Sequence, residues 1–179
     1  IKETPLKDCY IIEPTIFEDE RGYFFEKFNE KKFEELTGMN GHFVQDNVSR
    51  SSYGVLRGLH LQKGEHAQAK LVSCLEGSVW DVAVDLREDS PTFGQWFGIE
   101  LTAENKLQLY VPRGFGHGFA VLSTHAVFSY KCDNFYNKES EGSVKFNDPD
   151  LDIDWKVDEK DAILSEKDQN SPGFKDKNF

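Results

Sequence analysis

Cysteine is scarce in this sequence, and the few cysteines present follow no framework pattern. The chain contains three of them, Cys9, Cys74 and Cys132, an odd number with wide spacing and no CxxC pair. A disulfide scaffold or a zinc knuckle needs paired or closely spaced thiols, so the pattern argues against both. This cysteine usage favours a reducing compartment, and we expect a cytoplasmic protein.

Positive charge and long apolar runs are also lacking. The sequence has 21 Lys and Arg residues against 32 Asp and Glu residues, which gives a formal net charge of -11. Such an acidic chain does not fit a general nucleic-acid or anionic-membrane surface, although a local cluster of cations could still bind a small anion. No apolar stretch approaches the roughly eighteen residues of a membrane span, and residues 1–10 contain no signal-peptide core.

What the sequence does have is a succession of short strand patterns. In residues 79–86 the even positions from Trp80 to Leu86 are apolar, whereas Asp81 and Asp85 fall on the other face, which is the period of a half-buried strand. Regularly spaced short strands are typical of a sandwich or barrel, and the jelly roll is one such fold. The predicted strands cover residues 10–12, 23–28, 42–47, 55–62, 69–75, 79–86, 95–101, 107–111, 118–122 and 126–133.

One short helix and an irregular tail complete the expected architecture. Asn29 is suited to cap a helix that Gly38 ends, with Phe33 and Leu36 on one face. The C-terminal part is polar and irregular, and the tail after Asp168 is expected to be partly disordered or to pack on a neighbour. We predict that residues 1–179 form a single, mainly β domain with a few short peripheral helices.

Residues with chemical potential concentrate in residues 54–70, GVLRGLHLQKGEHAQAK. Arg57 and His60 lie inside an apolar strand pattern, and Lys70 follows closely. A lone polar residue on a strand is usually structural, but three together indicate a site. In a regular strand Arg57 and His60 would face opposite sides, and a bulge at Gly58 would return both to one face.

A second motif, PRGFGH at residues 112–117, has the PxGxxH form that carries a histidine into the mouth of the barrel in cupins. In metal-binding cupins the first motif supplies a histidine pair and a glutamate, but two of those positions here hold Gln62 and Lys70. A charged ammonium cannot ligate a cation, so we expect no metal. Lys70 instead offers a fixed positive charge that stabilises an oxyanion such as an enolate.

An enolate mechanism needs proton carriers, for which His60 and Tyr130 are the candidates. His60 suits the base because the unperturbed imidazole pKa lies near neutral pH. Tyr130 is predicted to share a strand face with Phe128 and Cys132, and a core or interface role for this tyrosine stays open. Spacing alone does not identify the carboxylate that would orient His60.

Taken in order, these residues resemble the RmlC-type dTDP-4-dehydrorhamnose 3,5-epimerase family of the cupin superfamily. The resemblance covers nearly the whole chain, and its specificity lies in the order of many short matches. These are DERGYF at 19–24, FVQDN at 43–47, VLRGLH at 55–60, KLV at 70–72, DVAVD at 81–85, SPTFG at 90–94, PRGFGHGF at 112–119, YKC at 130–132, DPD at 148–150 and SEKD at 165–168.

The resemblance implies a cupin jelly roll that forms a homodimer by exchanging N-terminal strands and uses no metal or organic cofactor. It implies His60 as the base, paired with Asp168, Tyr130 as the acid on the opposite face of the sugar, and Lys70 near the C4 oxygen. It also implies that Tyr136 stacks on thymine and that further side chains contact the nucleotide sugar. These further side chains are Arg21, Glu26, Gln45, Asp46, Asn47, Arg57, His117, Glu141 and Lys167.

The implied reaction inverts C3 and C5 of dTDP-4-dehydro-6-deoxy-D-glucose through an enolate and gives dTDP-4-dehydro-L-rhamnose. The alternatives are a single-site 3- or 5-epimerase of a related nucleotide sugar, a sugar-nucleotide 3,4-ketoisomerase, and a non-catalytic cupin that binds a sugar nucleotide or sugar. Tyr130 together with Lys70 and Asp168 favours an epimerase over a ketoisomerase. A mere binder has no need of matched proton carriers.

Overall fold

The computed structural model describes residues 1–176 and is built mainly of short strands. Two α-helices occur in this part, α1 (Glu30–Thr37) and α2 (Glu166–Gln169). The strands, in chain order, are β1 (Lys2–Glu3), β2 (Tyr10–Ile12), β3 (Phe17–Asp19), β4 (Gly22–Phe24), β5 (Gln45–Ser52), β6 (Leu56–Gln62), β7 (Lys70–Glu76), β8 (Ser78–Asp85), β9 (Trp96–Thr102), β10 (Gln108–Val111), β11 (Phe115–Val121), β12 (His125–Cys132) and β13 (Glu141–Ser143).

The strands form two larger antiparallel sheets and one separate hairpin. The six-stranded sheet has the order β1-β2-β10-β7-β12-β5, and the five-stranded sheet has the order β13-β6-β11-β8-β9. Within residues 1–176, strands β3 and β4 pair only with each other. The non-sequential strand order within both sheets is that of the predicted mainly β jelly roll.

The main core lies between the two sheets and explains the alternation in β8. Val79 and Ala83 are fully buried in a cluster that also contains Val72 and Phe128 of the six-stranded sheet. The other face of β8, including Val82, packs in a separate cluster outside the sandwich. The predicted period of two is therefore confirmed, and it turns the carboxylates of β8 toward the inside of the sandwich. The prediction of a half-buried strand was wrong, because both faces are buried from Asp81 to Asp85.

The outer faces of both sheets are covered by the ends of the chain. The segment around Phe146, Leu151 and Trp155 packs on the outer face of the five-stranded sheet. Helix α1 places Phe33 against Tyr110 on the six-stranded sheet. The region between the sheets is not covered at one end of the sandwich, and the site described below lies there.

Helix α1 agrees with its predicted signals. The Asn29 side chain accepts a hydrogen bond from the Lys32 amide, and Gly38 ends the helix with φ 69°. Phe33 is buried, but Leu36, which lies three residues further along the helix and lines the same groove, is 67% exposed. An eight-residue helix lying on a sheet contacts it along a narrow stripe that does not reach Leu36.

The bounds of three strands and the course of the tail also differ from expectation. The strand predicted over 118–122 is β11, which begins earlier, at Phe115. The strand predicted over 23–28 ends at Phe24, and the strand predicted over 42–47 begins at Gln45 and runs on to Ser52. The tail is largely irregular but packs on its own chain, because Phe174 contacts Phe93 and Ser171 is buried. Residues 177–179 lie outside the described part. No helix of residues 1–176 is long and apolar enough to cross a membrane.

Candidate active site

A bulge in β6 sets the direction of the two polar residues on this strand. His60 stands opposite His117 of β11 and Arg57 opposite Phe119, so Gly58 and Leu59 together face one residue of β11. Gly58 has φ 131°, a conformation that favours glycine. The predicted bulge is confirmed, and it allows Leu59 to pack outward while Arg57 and His60 both face the inside.

His60 is paired with a buried carboxylate from the C-terminal part of the chain. Its Nε2 lies 2.5 Å from Oδ1 of Asp168, whose side chain is only 4% exposed. Ser165 caps helix α2 by accepting a hydrogen bond from the Asp168 amide, and the Gly58 amide donates to the other carboxylate oxygen at 3.4 Å. Because Asp168 occupies Nε2, Nδ1 of His60 is the nitrogen available to act as a base.

The surroundings of Asp168 favour its ionised form. Burial alone would raise the pKa of this carboxyl group, but the hydrogen bond and charge of His60, together with hydrogen bonds involving Gly58 and Ser165, hold the pKa below its ordinary value. An ionised Asp168 is suited to accept a hydrogen bond from Nε2–H of His60 and would stabilise the imidazolium if Nδ1 took up a proton.

Lys70 and Tyr130 approach the same space from the six-stranded sheet. Lys70 begins β7 opposite Cys132 of β12, and its Nζ lies 6.0 Å from the centre of the Tyr130 ring. Tyr130 shares its strand face with Phe128 and Cys132, as predicted, and its ring centre lies 6.1 Å from that of Phe128. The acid candidate and the cation are therefore neighbours.

Burial shifts both groups toward their neutral forms. It lowers the pKa of Lys70, against the opposing effects of Cys132 and Asp81. It raises the pKa of Tyr130, an effect that Cys132 increases and the nearby Arg57 reduces. The Tyr130 phenol consequently stays protonated at neutral pH, which is the form that a proton donor needs.

A cleft of about 340 Å³ joins these groups and opens to solvent. Its two walls belong to different sheets, with His60 on one wall and Lys70 and Tyr130 on the other. A flat ring bound between the walls therefore meets the histidine and the tyrosine on opposite faces. The cleft is lined by Gln45, Asn47, His60, Leu61, Gln62, Gln68, Lys70, Tyr130, Tyr136, Glu141, Gly142 and Lys167.

Comparison with known proteins identifies the family of the chain. A sequence profile described as dTDP-4-dehydrorhamnose 3,5-epimerase matches residues 3–176. The chain belongs to the dTDP-4-dehydrorhamnose 3,5-epimerase family. The protein of that name from Salmonella typhimurium is 54% identical over 170 residues, which cover 95% of this chain and 92% of the relative.

Solved structures of this epimerase family share the fold. The dTDP-4-dehydrorhamnose 3,5-epimerase from Elizabethkingia anophelis is 83% identical, with a TM-score of 0.97 over 99% of this chain and 97% of that chain. The epimerase from Legionella pneumophila, solved in complex with dTDP-4-keto-L-rhamnose, is 52% identical, with a TM-score of 0.93 over 97% and 92% of the two chains. The fold is the cupin jelly roll of these epimerases.

At the rim of the cleft, three side chains of the set expected for this epimerase family are joined. The Tyr136 hydroxyl donates to Oε1 of Glu141 at 3.1 Å, and Lys167 Nζ lies 2.6 Å from the other carboxylate oxygen. Gln45 and Asn47 line the opposite wall, where the Gln45 amide donates to Oδ1 of Asn47 at 3.2 Å.

Two members of the expected contact set do not line the cleft: His117, which is buried, and Arg57, which is exposed and reaches across to the six-stranded sheet. His117 is 6% exposed and its Nε2 lies 2.9 Å from a carboxylate oxygen of Asp81, which is fully buried. Arg57 donates through Nε to the Ser51 hydroxyl at 3.2 Å, across to β5. The pairing of Asp81 with His117 was not predicted, although the alternation in β8 indicated which way Asp81 faces.

Three other residues of the expected contact set do not line the cleft that their own chain forms. Asp46 points away from Gln45 and Asn47 on β5 and pairs with Lys131 at 2.9 Å. Arg21 pairs with Asp19 at 2.5 Å on the exposed β3–β4 hairpin. Glu26 pairs with Lys32 at 2.7 Å near the start of α1. The described chain therefore brings together the four proposed catalytic residues and the rim, but not these three.

Gln62 stands at the position of a second cupin metal ligand. Its side-chain amide forms hydrogen bonds with three main-chain groups. Within residues 1–176, no group of three or more His, Cys, Asp or Glu side chains is arranged to hold a metal ion. Gln68, Leu61 and Gly142 line the cleft but were not predicted as site residues, because nothing in their local sequence marks them.

The pairing of Asp168 predicts an acid-sensitive element of stability. Because the folded protein lowers the pKa of Asp168, ionised Asp168 favours folding above its unfolded-state pKa of about 3.9, and this contribution disappears as the pH falls through the lower folded-state value. We expect Asp168→Asn to remove this part of the acid dependence, measured as the unfolding free energy in urea between pH 6 and pH 2.5.

The same variant is expected to lower catalytic turnover by about a hundredfold, since an asparagine amide cannot stabilise the His60 imidazolium. Asp150→Asn, which removes an exposed carboxylate paired with Lys175, is the matched control and should leave turnover unchanged. An Asp168→Asn enzyme with wild-type turnover would show that the pair does not serve catalysis.

Proposed function

We propose that the protein is an isomerase that inverts C3 and C5 of dTDP-4-dehydro-6-deoxy-D-glucose and gives dTDP-4-dehydro-L-rhamnose. The observation that carries the proposal is the position of His60 and Tyr130 on opposing sheets, on either side of one cleft. Inversion of a carbon needs a proton to leave from one face and return to the other. Membership of the epimerase family and the complex of the Legionella relative with dTDP-4-keto-L-rhamnose support the same reaction.

The first step is removal of the proton next to the C4 carbonyl. His60 takes this proton at Nδ1, because its Nε2 is held by Asp168. The electron pair moves to the C4 oxygen and forms an enolate, whose charge Lys70 stabilises from the other wall of the cleft. Burial strengthens this interaction, since charges attract more strongly where water is excluded.

The second step returns a proton from Tyr130 to the opposite face of the carbon. The raised pKa of the phenol keeps its proton available, and Arg57 lies close enough to favour the phenolate that remains. The His60 imidazolium then gives its proton to water and the Tyr130 phenolate takes one from water through the open cleft. With both groups reset, the two steps applied at C3 and at C5 invert both centres. Both are proton transfers, so we propose that the reaction needs neither a metal nor an organic cofactor.

The product distinguishes this proposal from its alternatives. The purified protein is incubated with dTDP-4-dehydro-6-deoxy-D-glucose, NADPH and a reductase that accepts dTDP-4-dehydro-L-rhamnose, and we expect dTDP-L-rhamnose to accumulate. A trapped sugar inverted at one carbon would make the protein a single-site epimerase. Substrate binding without any turnover would make it a binding protein.

We further propose that the protein works as a homodimer with exchanged N-terminal segments and that each partner supplies Arg21 and Glu26 to the other cleft. The β3–β4 hairpin supports this, because all six of its residues are exposed. Two of them, Phe17 and Phe24, are 62% and 69% exposed. Strand β5 is at the edge of its sheet, and an edge strand offers unpaired backbone groups to another chain.

Light scattering at micromolar concentration is expected to give twice the chain mass of 20.5 kDa. The double variant Phe17→Ser and Phe24→Ser should shift the protein toward the monomer and reduce turnover, because apolar contacts with the partner are lost. Ile163→Ser, which changes another exposed apolar residue (55%), is the control. A monomeric wild-type protein with full activity would contradict the exchange.

We also propose a cytoplasmic location, in keeping with the three free cysteines. All three are buried, and burial raises the pKa of Cys9 to about 12 and the pKa values of Cys74 and Cys132 to about 11. Such thiols remain protonated and unreactive.

A further inference from the structure

Residues 135–137 carry Tyr136 past the rim of the cleft without regular secondary structure. Three side-chain hydrogen bonds nevertheless hold two successive peptide units of this segment, 135–136 and 136–137. The Phe135 carbonyl accepts a hydrogen bond from Nε2 of Gln62 at 3.1 Å. The Tyr136 amide donates to Oε1 of Gln45 at 3.0 Å, and the Asn137 amide donates to Oε1 of Gln62 at 2.8 Å. Gln62 therefore forms hydrogen bonds with the main chain on both sides of Tyr136.

The Gln62 side chain is itself firmly fixed. It is 5% exposed and ends β6, two residues after His60. Besides its two bonds to the segment, its Nε2 donates to the carbonyl of His66 at 2.7 Å. Both amide protons and the amide oxygen are thus used, so the orientation of the amide is determined by its partners.

The Tyr136 hydroxyl is fixed through strand β13, the partner of β6, while the face of the ring stays exposed. Gln62 lies directly opposite Glu141 in the pairing of β6 with β13, and Glu141 accepts the Tyr136 hydroxyl at 3.1 Å. The residue remains 57% exposed at the cleft. An exposed aromatic face whose backbone and hydroxyl are both fixed is suited to stacking on a flat ring without further ordering.

We infer that Gln62 is a positioning residue for nucleotide recognition, which fixes the segment 135–137 so that Tyr136 presents its ring to the base of the dTDP moiety. This inference rests on the proposed function. Without Gln62 the segment has to be ordered when the nucleotide binds, and that ordering weakens binding. The chemical step is affected little, because the reacting carbons lie against His60, Lys70 and Tyr130.

The test is a double-mutant cycle between Gln62 and Tyr136, with the dissociation constant of dTDP measured by calorimetry. Gln62→Met keeps the length of the side chain and removes its three hydrogen bonds. We expect it to weaken dTDP binding about tenfold in the wild-type background and by less than about twofold in the Tyr136→Ala background. The kcat for solvent exchange at saturating substrate should stay within about threefold of the wild type.

The matched control is Gln108→Met. Gln108 is also buried, at 2% exposure, and donates to a loop carbonyl, that of Lys27, at 2.7 Å, but it does not line the cleft. This control should lower the thermal unfolding temperature and leave dTDP binding unchanged. If Gln62→Met does not fold, Gln62→Glu replaces it, since the carboxylate keeps the oxygen that accepts from Asn137 and loses both donors.

Two results would overturn the inference. A Gln62 variant that binds dTDP like the wild type would show that Gln62 does not contribute. An equal loss in the presence and absence of the Tyr136 ring would show that Gln62 contacts the nucleotide directly or acts through general stability. The proposed function fails independently, if the wild-type protein binds dTDP but exchanges neither C3 nor C5.

Discussion

Replacing His60 with alanine is expected to abolish solvent exchange at both C3 and C5 of the substrate, with a loss of about 10⁴-fold in turnover. Nδ1 of His60 is the proposed base for both carbons, and removal of a general base costs up to about 10⁴-fold. The fold should be retained, because the His60 side chain is 38% exposed and contributes little to the core. Exchange is measured by proton NMR in D2O, with circular dichroism to check the fold.

His125→Ala is the matched control. This histidine also pairs with a carboxylate, because its Nε2 lies 2.7 Å from Glu76. It begins β12, whereas the site lies at the end of this strand near Cys132, and it does not line the cleft. It should exchange both carbons at the wild-type rate. Near-normal exchange in a folded His60→Ala protein would remove His60 from the mechanism.

Replacing Tyr130 with phenylalanine is expected to separate exchange from inversion. His60 still removes the proton and can return deuterium to the same face, so label enters while the configuration is kept. Inversion should fall by about 10³-fold, since no donor remains on the opposite wall. The measurement follows deuterium content and product configuration in one sample, using the trapping reductase.

Tyr53→Phe removes the hydroxyl of an exposed tyrosine that does not line the cleft, and it should behave like the wild type. If Tyr130→Phe loses exchange and inversion to the same extent, the phenol is needed for proton removal and its assignment as the acid for the opposite face is wrong. If it inverts at the wild-type rate, another group supplies the proton.

Much of the fold was predictable because it depends on local patterns. The alternation in residues 79–86 correctly placed Asp81 and Asp85 on the face opposite Val82 and Val84, since side chains alternate along a strand where no bulge intervenes. It did not show that this second face is buried as well. The bulge at Gly58 was predictable for a related reason: only an irregularity places Arg57 and His60 on one side. Local chemistry likewise located the cap at Asn29.

Features that depend on contacts between distant parts of the chain were not predictable from pattern. The helical period puts Phe33 and Leu36 on one face but does not reveal how wide a stripe of α1 reaches the sheet, so it does not show that Phe33 alone is buried. The alternation of aromatic and charged residues favoured a strand as far as Phe28. The length of a strand depends on its pairing partners, and among the described strands β4 pairs with the short β3 alone.

The candidate site, like the fold, was predictable only in part. The residues alone indicated His60, Lys70 and Tyr130, but Asp168 stands 108 positions away from His60 and came only from the family resemblance. Gln62 was recognised as the residue at a cupin metal-ligand position, while its contacts with residues 135–137 depend on the end of β6 meeting the segment that follows β12. Sequence shows which side chains have chemical potential; the fold determines which of them meet.

The most direct test of the account is proton NMR of dTDP-4-dehydro-6-deoxy-D-glucose with the enzyme in D2O, coupled to a reductase that traps the product. The base on one wall of the cleft and the acid on the other predict deuterium at both C3 and C5 and an L-rhamnose product. Label and inversion at one carbon alone, or binding with no exchange at either, would contradict the account.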